Sequence, residues 1–284
     1  MPQLLESPLD QIITGGFAPP RIEIWPRDSF RVVDWNIDRG LKLPGVIAFL
    51  KSCKADIILL QEVDLNARRT HHIDVGREIA RALQMNYVFA REFQELTQGS
   101  RSSPAYHGQA TLSRWPLSNP RIIRFQKQSN FWNPHWFLPQ IEPFQERLGG
   151  RMALVTEACV AGNPIVTYNL HLESKGDDEL RRSQLEQALG DAGRYASGTA
   201  IVLAGDLNAD VSSGSAATAS SQARFENAFG SQRVATTTSR GLLNHGRTID
   251  WILTRGPLRA SQPQVHTAVS ASDHFPLSVN LAIS

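Results

Sequence analysis

The stretch Ala200–Asp210, "AIVLAGDLNAD", decides how this chain is read. Ile201, Val202, Leu203 and Ala204 form a short apolar run of the kind expected of a strand buried on both faces. Through Gly205 that strand delivers Asp206 and Asn208, two residues apart, to its C-terminal end. An unpaired carboxylate at the end of a core strand costs several kcal/mol, so the segment requires a compensating partner.

Working outward, similar runs recur along the chain: "FRVVDWNI", "ADIILLQEVD", "NYVFAREF", "GQATLSRWPL", "RMALVTEACV", "PIVTYNLHLES", "RTIDWILTR" and "PLSVNLAI". Most are rich in Val, Ile, Leu, Thr and aromatic residues, and several are apolar on both faces. Helical spacing lies between some of them. Leu43, Val46, Ile47 and Leu50 define one helix, Ile79, Ala80 and Leu83 a second, and Leu180, Leu185, Ala188, Leu189 and Ala192 a third, with Asp177 or Asp178 as its cap. Strands apolar on both faces need cover on each side, which two packed sheets with helices outside would supply. Residues 1–28 hold five prolines and read as an N-terminal extension; residues 29–284 read as one domain. The Ser- and Ala-rich segment 209–224 reads as a surface connection.

With 41% hydrophobic and 20% charged residues, the 284-residue chain is that of a globular domain with a substantial core. No run is long enough to cross a membrane, and the first residues lack a basic start followed by an apolar stretch, so a cytoplasmic protein is expected. Cys53 and Cys159 stand singly among apolar neighbours and read as small core residues. A net charge of +2 excludes a global basic field for long nucleic acid and leaves room for a local basic face.

Polar residues collect at the strand ends. "VVDWNID" carries Asn36 and Asp38, "IILLQEVD" carries Glu62, "NLHLES" carries His171, "GDLN" carries Asp206 and Asn208, "IDWIL" carries Asp250, and "SDHFPL" carries Asp273 and His274. Any one of them could be a structural hydrogen-bonder. Together they form an oxygen-rich set without cysteine, suited to a hard divalent cation such as Mg2+ or Mn2+. That cation answers the need of Asp206.

In this order the motifs resemble those of the endonuclease/exonuclease/phosphatase superfamily, from about Phe30 to the C-terminus. The resemblance implies an α/β fold, a four-layer sandwich of two packed mixed β-sheets flanked by helices, with the site at one edge. It implies Glu62 as the metal anchor, with Asp38, Asn36 and Asp273 binding directly or through water. Asp206 would orient and deprotonate the attacking water, with Asn208 holding that water or a phosphate oxygen. His274 would contact the phosphate or move a proton, oriented by Asp250. His171 would hydrogen-bond a phosphate oxygen or assist the leaving group, and the sequence leaves the division of acid and base between the two histidines open.

For substrate, "WNID" with "HLES" is similar to phosphodiesterases that remove tyrosyl adducts from DNA ends. A monomeric nuclease or DNA-end-processing phosphodiesterase with a nucleic-acid partner is the expectation. A sphingomyelinase-like or other small phosphoester hydrolase is the alternative, and a noncatalytic binding module on the same scaffold the alternative of another class. Arg68 and Arg69, with His71 and His72, could form a phosphate-attracting rim. In segment 125–147, Trp132 and Trp136, with Phe131 and Phe137, could stack on unpaired bases or contact lipid, or the loop could pack on its own rings.

Overall fold

β-branched and aliphatic residues at successive positions leave a strand no polar face, so such strands survive only between two covering layers. The computed structural model of the chain describes residues 7–19, 29–133, 137, 147–238 and 246–284. In chain order its elements are β1 (Ile12–Gly16), β2 (Ser29–Arg39), α1 (Leu43–Cys53), β3 (Ile57–Leu65), α2 (Val75–Leu83), β4 (Asn86–Glu95), β5 (Ala105–Ser113), β6 (Leu117–Arg124) and β7 (Arg147–Gly149). There follow β8 (Met152–Val160), β9 (Asn163–His171), α3 (Asp178–Ala192), β10 (Ala200–Asp206), α4 (Gly214–Gln222), β11 (Glu226–Asn227), β12 (Asp250–Arg255), β13 (Leu258–Val265) and β14 (Leu277–Ile283).

One sheet runs β1-β4-β5-β3-β2-β14-β13, with β7 also on β4; the other runs β11-β12-β10-β9-β8-β6. Each sheet contains one parallel pair, β2 with β3 and β9 with β10. Three large cores fill the layers, and a smaller fourth joins Val88 and Ala90 of β4 to Met152 and Leu154 of β8. Phe30, Val32, Ile57, Leu59, Val202, Ala204, Ile252 and Val279 pack between the sheets. Val46, Leu50, Ile79 and Ala80 of α1 and α2 cover the first sheet. Leu185, Ala188 and Leu189 of α3, with Ala216 and Ala219 of α4, cover the second. The fold is therefore the expected four-layer α/β sandwich. Among the described residues no helix is long and apolar enough to cross a membrane.

Three local expectations change. Segment 209–224 is not merely a connection, because α4 occupies Gly214–Gln222 and buries two alanines; alanine spaced i, i+3 in a Ser-rich run carries a weak periodic signal. Cys159 is exposed on β8, whereas Cys53 is buried on α1. Within segment 1–28, Ile12–Gly16 pairs with β4 and extends the first sheet at its edge. The capping choice at α3 falls to Asp177, which accepts from the Leu180 amide at 2.8 Å, while Asp178 pairs with Arg181.

A polar strut crosses the layer between the sheets. Gln61 Nε2 donates to Asp34 Oδ1 and to Asn169 Oδ1, both at 2.8 Å. Asn169 Nδ2 in turn donates to the carbonyls of Leu60 and Ala110. This ties the parallel pair of one sheet to that of the other just below their C-terminal ends, which fixes how the polar strand ends face each other. Burial, reinforced by the nearby Asp250 and Asp206 carboxylates, holds the Asp34 carboxyl well above the usual range. Gly205 (φ 148°) permits the close approach of β10 to β9, since a side chain there would meet the Leu170 carbonyl.

Candidate active site

The strands that carry the polar residues break register where those residues stand. β2 and β3 lose their pairing between Asn36 and Arg39, and β3 and β5 between Leu60 and Val63. Asp38, Arg39 and Glu62 there take left-handed backbone angles of 45°, 65° and 51°. Such bulges re-aim side chains out of the alternation of a strand. Here they turn Glu62 toward Asn36 and Arg39. Asn36 Nδ2 donates to Glu62 Oε1 at 3.3 Å and, across the gap between sheets, to Asp206 Oδ2 at 3.2 Å. Its Oδ1 accepts from the Asp38 amide. The Arg39 guanidinium lies 2.6 Å from Asp38 and 3.5 Å from Glu62 Oε2. Burial alone would raise the Glu62 carboxyl, but Arg39, His107, His171 and Arg147 outweigh it and hold Glu62 ionised well below the usual range.

On the second sheet, pairing alone assembles the counterpart. Asp206 stands opposite His171 on β9 and Asp250 on β12. His274 arrives on the loop before β14, held by its amide on Ser272 Oγ, which itself donates to the Asn36 carbonyl at 2.7 Å, and by its carbonyl, which accepts from Trp35 Nε1. His274 Nδ1 lies 2.9 Å from both Asp250 oxygens. Burial works against the imidazolium, but Asp250, Asp206 and Asp273 overcome it and raise His274 well above its ordinary value. The Nε2 atoms of His274 and of His171 each stand 3.7 Å from Asp206 Oδ2. Asn208 (φ 47°) donates its amide to Asp206 Oδ1 and its side-chain nitrogen to the Leu172 carbonyl, so it steadies Asp206. Asp273 is half-buried beside His274.

Behind these residues stands a buried tier that the sequence reading passed over. Arg151 Nη1 donates to His171 Nδ1 at 2.9 Å and pairs with Glu92 at 2.9 Å. Guanidinium has no acceptor, so the His171 hydrogen sits on Nε2, facing Asp206. His107 contacts Asp64 through Nδ1, and Asp64 is gripped by Arg69. Ligand atoms of Glu62, His107 and His171 lie within 4.8 Å of one another, as do those of Asp206, Asp250 and His274. A histidine in mid-strand and an arginine just before one gave no spacing signal; only the buried carboxylates Asp64 and Glu92 nearby, read as pairs, could have found them.

Glu92 supplies a stability prediction. Burial would raise its carboxyl, but Arg151 and His171 hold it down to about 2, below its ordinary 4.5. The ionised pair therefore stabilises the fold above pH 4.5, and that contribution is lost as pH falls toward 2. Glu92→Gln should lower the melting temperature strongly at neutral pH and little at pH 2, as thermal melts across that range will measure.

The outer candidates separate. Arg69 turns inward to Asp64 and Glu95 rather than lining a rim. Arg68 is exposed, and so are His71 and His72. Trp132 donates through Nε1 to Glu173, and the guanidinium groups of Arg147 and Arg151 lie 5.1 and 5.8 Å from its ring, so it packs as part of the wall. Phe131 packs edge-on against it yet is 58% exposed, with Lys175 5.2 Å from its ring. Phe137 is also exposed. Trp136 lies outside the described residues.

The endonuclease/exonuclease/phosphatase family model matches residues 35–274, which takes in every strand-end motif from Asn36 to His274. The chain belongs to this family. A search of curated proteins finds no match. Among solved structures, an endonuclease/exonuclease/phosphatase from Beutenbergia cavernae is similar at a TM-score of 0.66 and 18% identity, covering 91% of this chain and 72% of that one. A humanized D. rerio TDP2 is similar at 0.62 and 15% identity, covering 90% and 99%. TDP2 from C. elegans is similar at 0.55 and 18% identity, covering 89% and 75%. At these identities the likeness is one of fold. The family is one of metal-dependent phosphoesterases and nucleases.

Proposed function

We propose that the protein is a divalent-metal-dependent phosphodiesterase acting on nucleic acid, as a nuclease or DNA-end-processing enzyme. The observation that carries this reading is Asp206 Oδ2, held by Asn36 and flanked at 3.7 Å by the Nε2 atoms of two buried histidines. A carboxylate between two imidazole donors can orient a water while the donors hold the oxygens of the group it attacks.

The donor set fits a hard cation. Glu62, Asp38, Asn36 and Asp273 offer oxygens, and burial, with neighbouring carboxylates adding to it, raises Asp34, Asp38 and Asp250, a cost that a bound cation would relieve. Magnesium or manganese held by Glu62, with Asp38, Asn36 and Asp273 around it, would neutralise a nonbridging oxygen of the phosphate. The chain's own residues supply the rest. Asp206 takes the proton of the attacking water, and Asn208 and Asn36 keep its carboxylate aimed. His274, charged and paired with Asp250, has a proton to give to the departing oxygen. His171, whose Nδ1 accepts from Arg151, donates from Nε2 to a phosphate oxygen and fixes its position.

Substrate class is read from Phe131, the exposed ring of the wall. A stacked base is worth roughly 1–3 kcal/mol, about one to two decades of affinity. A panel of single-stranded DNA, tyrosyl-ended DNA, plasmid, sphingomyelin vesicles and a chromogenic phosphodiester, with Mg2+ or Mn2+, tests the reading. Single-stranded or adduct-ended DNA should be turned over fastest. Phe131→Ala should raise KM for single-stranded DNA about tenfold and leave the chromogenic ester unchanged. Turnover of vesicles alone, with loss in the variant only there, would assign the protein to the phospholipid hydrolases instead.

A further inference from the structure

His107 stands at the edge of this site, and the mechanism above leaves it without a task. It stands on β5 directly opposite Asp64 on β3 and is 1% exposed. Its Nδ1 lies 3.2 Å from Asp64 Oδ1. Asp64 is itself locked by a two-point grip, Arg69 Nε at 2.7 Å and Nη2 at 2.8 Å. A carboxylate held ionised by a guanidinium can only accept, so Nδ1 carries the hydrogen and the lone pair sits on Nε2. An imidazole that donates one nitrogen to a buried carboxylate and keeps the other free is the arrangement that metal-binding histidines adopt. A ring nitrogen of His107 falls within 4.8 Å of a Glu62 oxygen. His171, in the same group, has its lone pair on Nδ1 turned to Arg151 and its hydrogen toward Asp206.

We propose that His107 is a nitrogen ligand to the divalent cation held at Glu62, so that the site prefers a first-row transition ion, Mn2+ or Co2+, over Mg2+. The inference rests on the reading that Glu62 anchors a cation. Imidazole nitrogen adds affinity along the first-row transition series and little for magnesium, which favours oxygen. Glu62 and His107 then supply one oxygen and one nitrogen, and the remaining positions fall to the phosphate and to Asp38, Asn36 and Asp273, directly or through water. Asp64 and Arg69 act behind them as positioning residues that fix the ring nitrogen carrying the lone pair.

The experiment is electron spin echo spectroscopy of the full chain loaded with Mn2+ alone, together with calorimetric titration of Mn2+ and of Mg2+. Wild type should show one directly coordinated nitrogen. His107→Gln, which keeps an amide to reach Asp64, should lose that nitrogen, weaken Mn2+ about tenfold or more, and change Mg2+ less than threefold. Mn2+ bound in wild type without a coordinated nitrogen, or with one that persists in His107→Gln, would overturn the proposal while leaving the cation at Glu62 standing. No Mn2+ bound, or Mn2+ affinity unaffected by Glu62→Ala, would overturn both. Because the wild-type spectrum alone decides whether nitrogen is coordinated, a misfolded variant would not shield the proposal.

Discussion

Asp250→Asn should cut turnover of a phosphodiester by about 10^3- to 10^4-fold while KM stays within a few-fold of wild type. The Asp250 carboxylate has both oxygens 2.9 Å from His274 Nδ1 and is fully buried, so it has no solvent to share that charge with. It holds the proton on Nδ1, points Nε2 at the space beside Asp206, and keeps the ring charged. An amide of the same shape preserves packing but offers the ring a donor as readily as an acceptor. The wrong tautomer is then accessible, and the charged ring loses its main support. The pH profile carries a second signature. Because His274 is raised well above its ordinary value, the charged form that gives up a proton persists through neutral pH and fails only on the alkaline side. In Asp250→Asn that alkaline limb should move to lower pH. An unchanged turnover number would make Asp250 a structural residue.

Glu62→Ala should abolish turnover, by about a thousandfold or more, with the melting temperature within a few degrees of wild type. The side chain is 21% exposed and reaches its position through a bulge, so its removal opens little cavity in the core. What it removes is the anchor for the cation, and with it several kcal/mol of charge neutralisation at the transition state. Loss of Glu62 also frees Arg39, which would remain paired with Asp38. Titration calorimetry should show Mn2+ and Mg2+ binding lost in the variant alongside activity. Retained activity at saturating metal would move the anchor to another carboxylate.

Much of this architecture is written into short runs of sequence. The stretch around Asp206 announces a strand buried on both faces that ends in carboxylate and amide, and pairing in β10 then places His171 and Asp250 beside it without further information. Glu62 and Asn36 are equally legible, since an acidic group after "IILLQ" and an amide after "VVDW" contradict the runs that precede them. The second tier is not. Nothing in "AYHGQATLS" marks His107, and Arg151 opens a strand as arginines commonly do; their meaning comes from β5 lying against β3 and β8 against β9. The α4 helix escaped because serine and alanine carry too little contrast to show a period, and β13 because its exposed alternation, Leu258–Val265, holds few apolar residues. Arg69 misled for a related reason. A basic residue in a loop reads as a rim, yet the carboxylates of Asp64 and Glu95, distant in sequence from one another, draw it inward.

The central claim is that a divalent cation held at Glu62 on one sheet works with Asp206 and Asp250 of the other to hydrolyse a phosphodiester. It is tested most directly by the initial rate of wild-type protein on a chromogenic phosphodiester, measured with Mg2+ or Mn2+, then with excess chelator, then with metal restored. Turnover that vanishes in chelator and returns with metal is the predicted result. Full activity in excess chelator, or none under any metal on this ester or on single-stranded DNA, would contradict it.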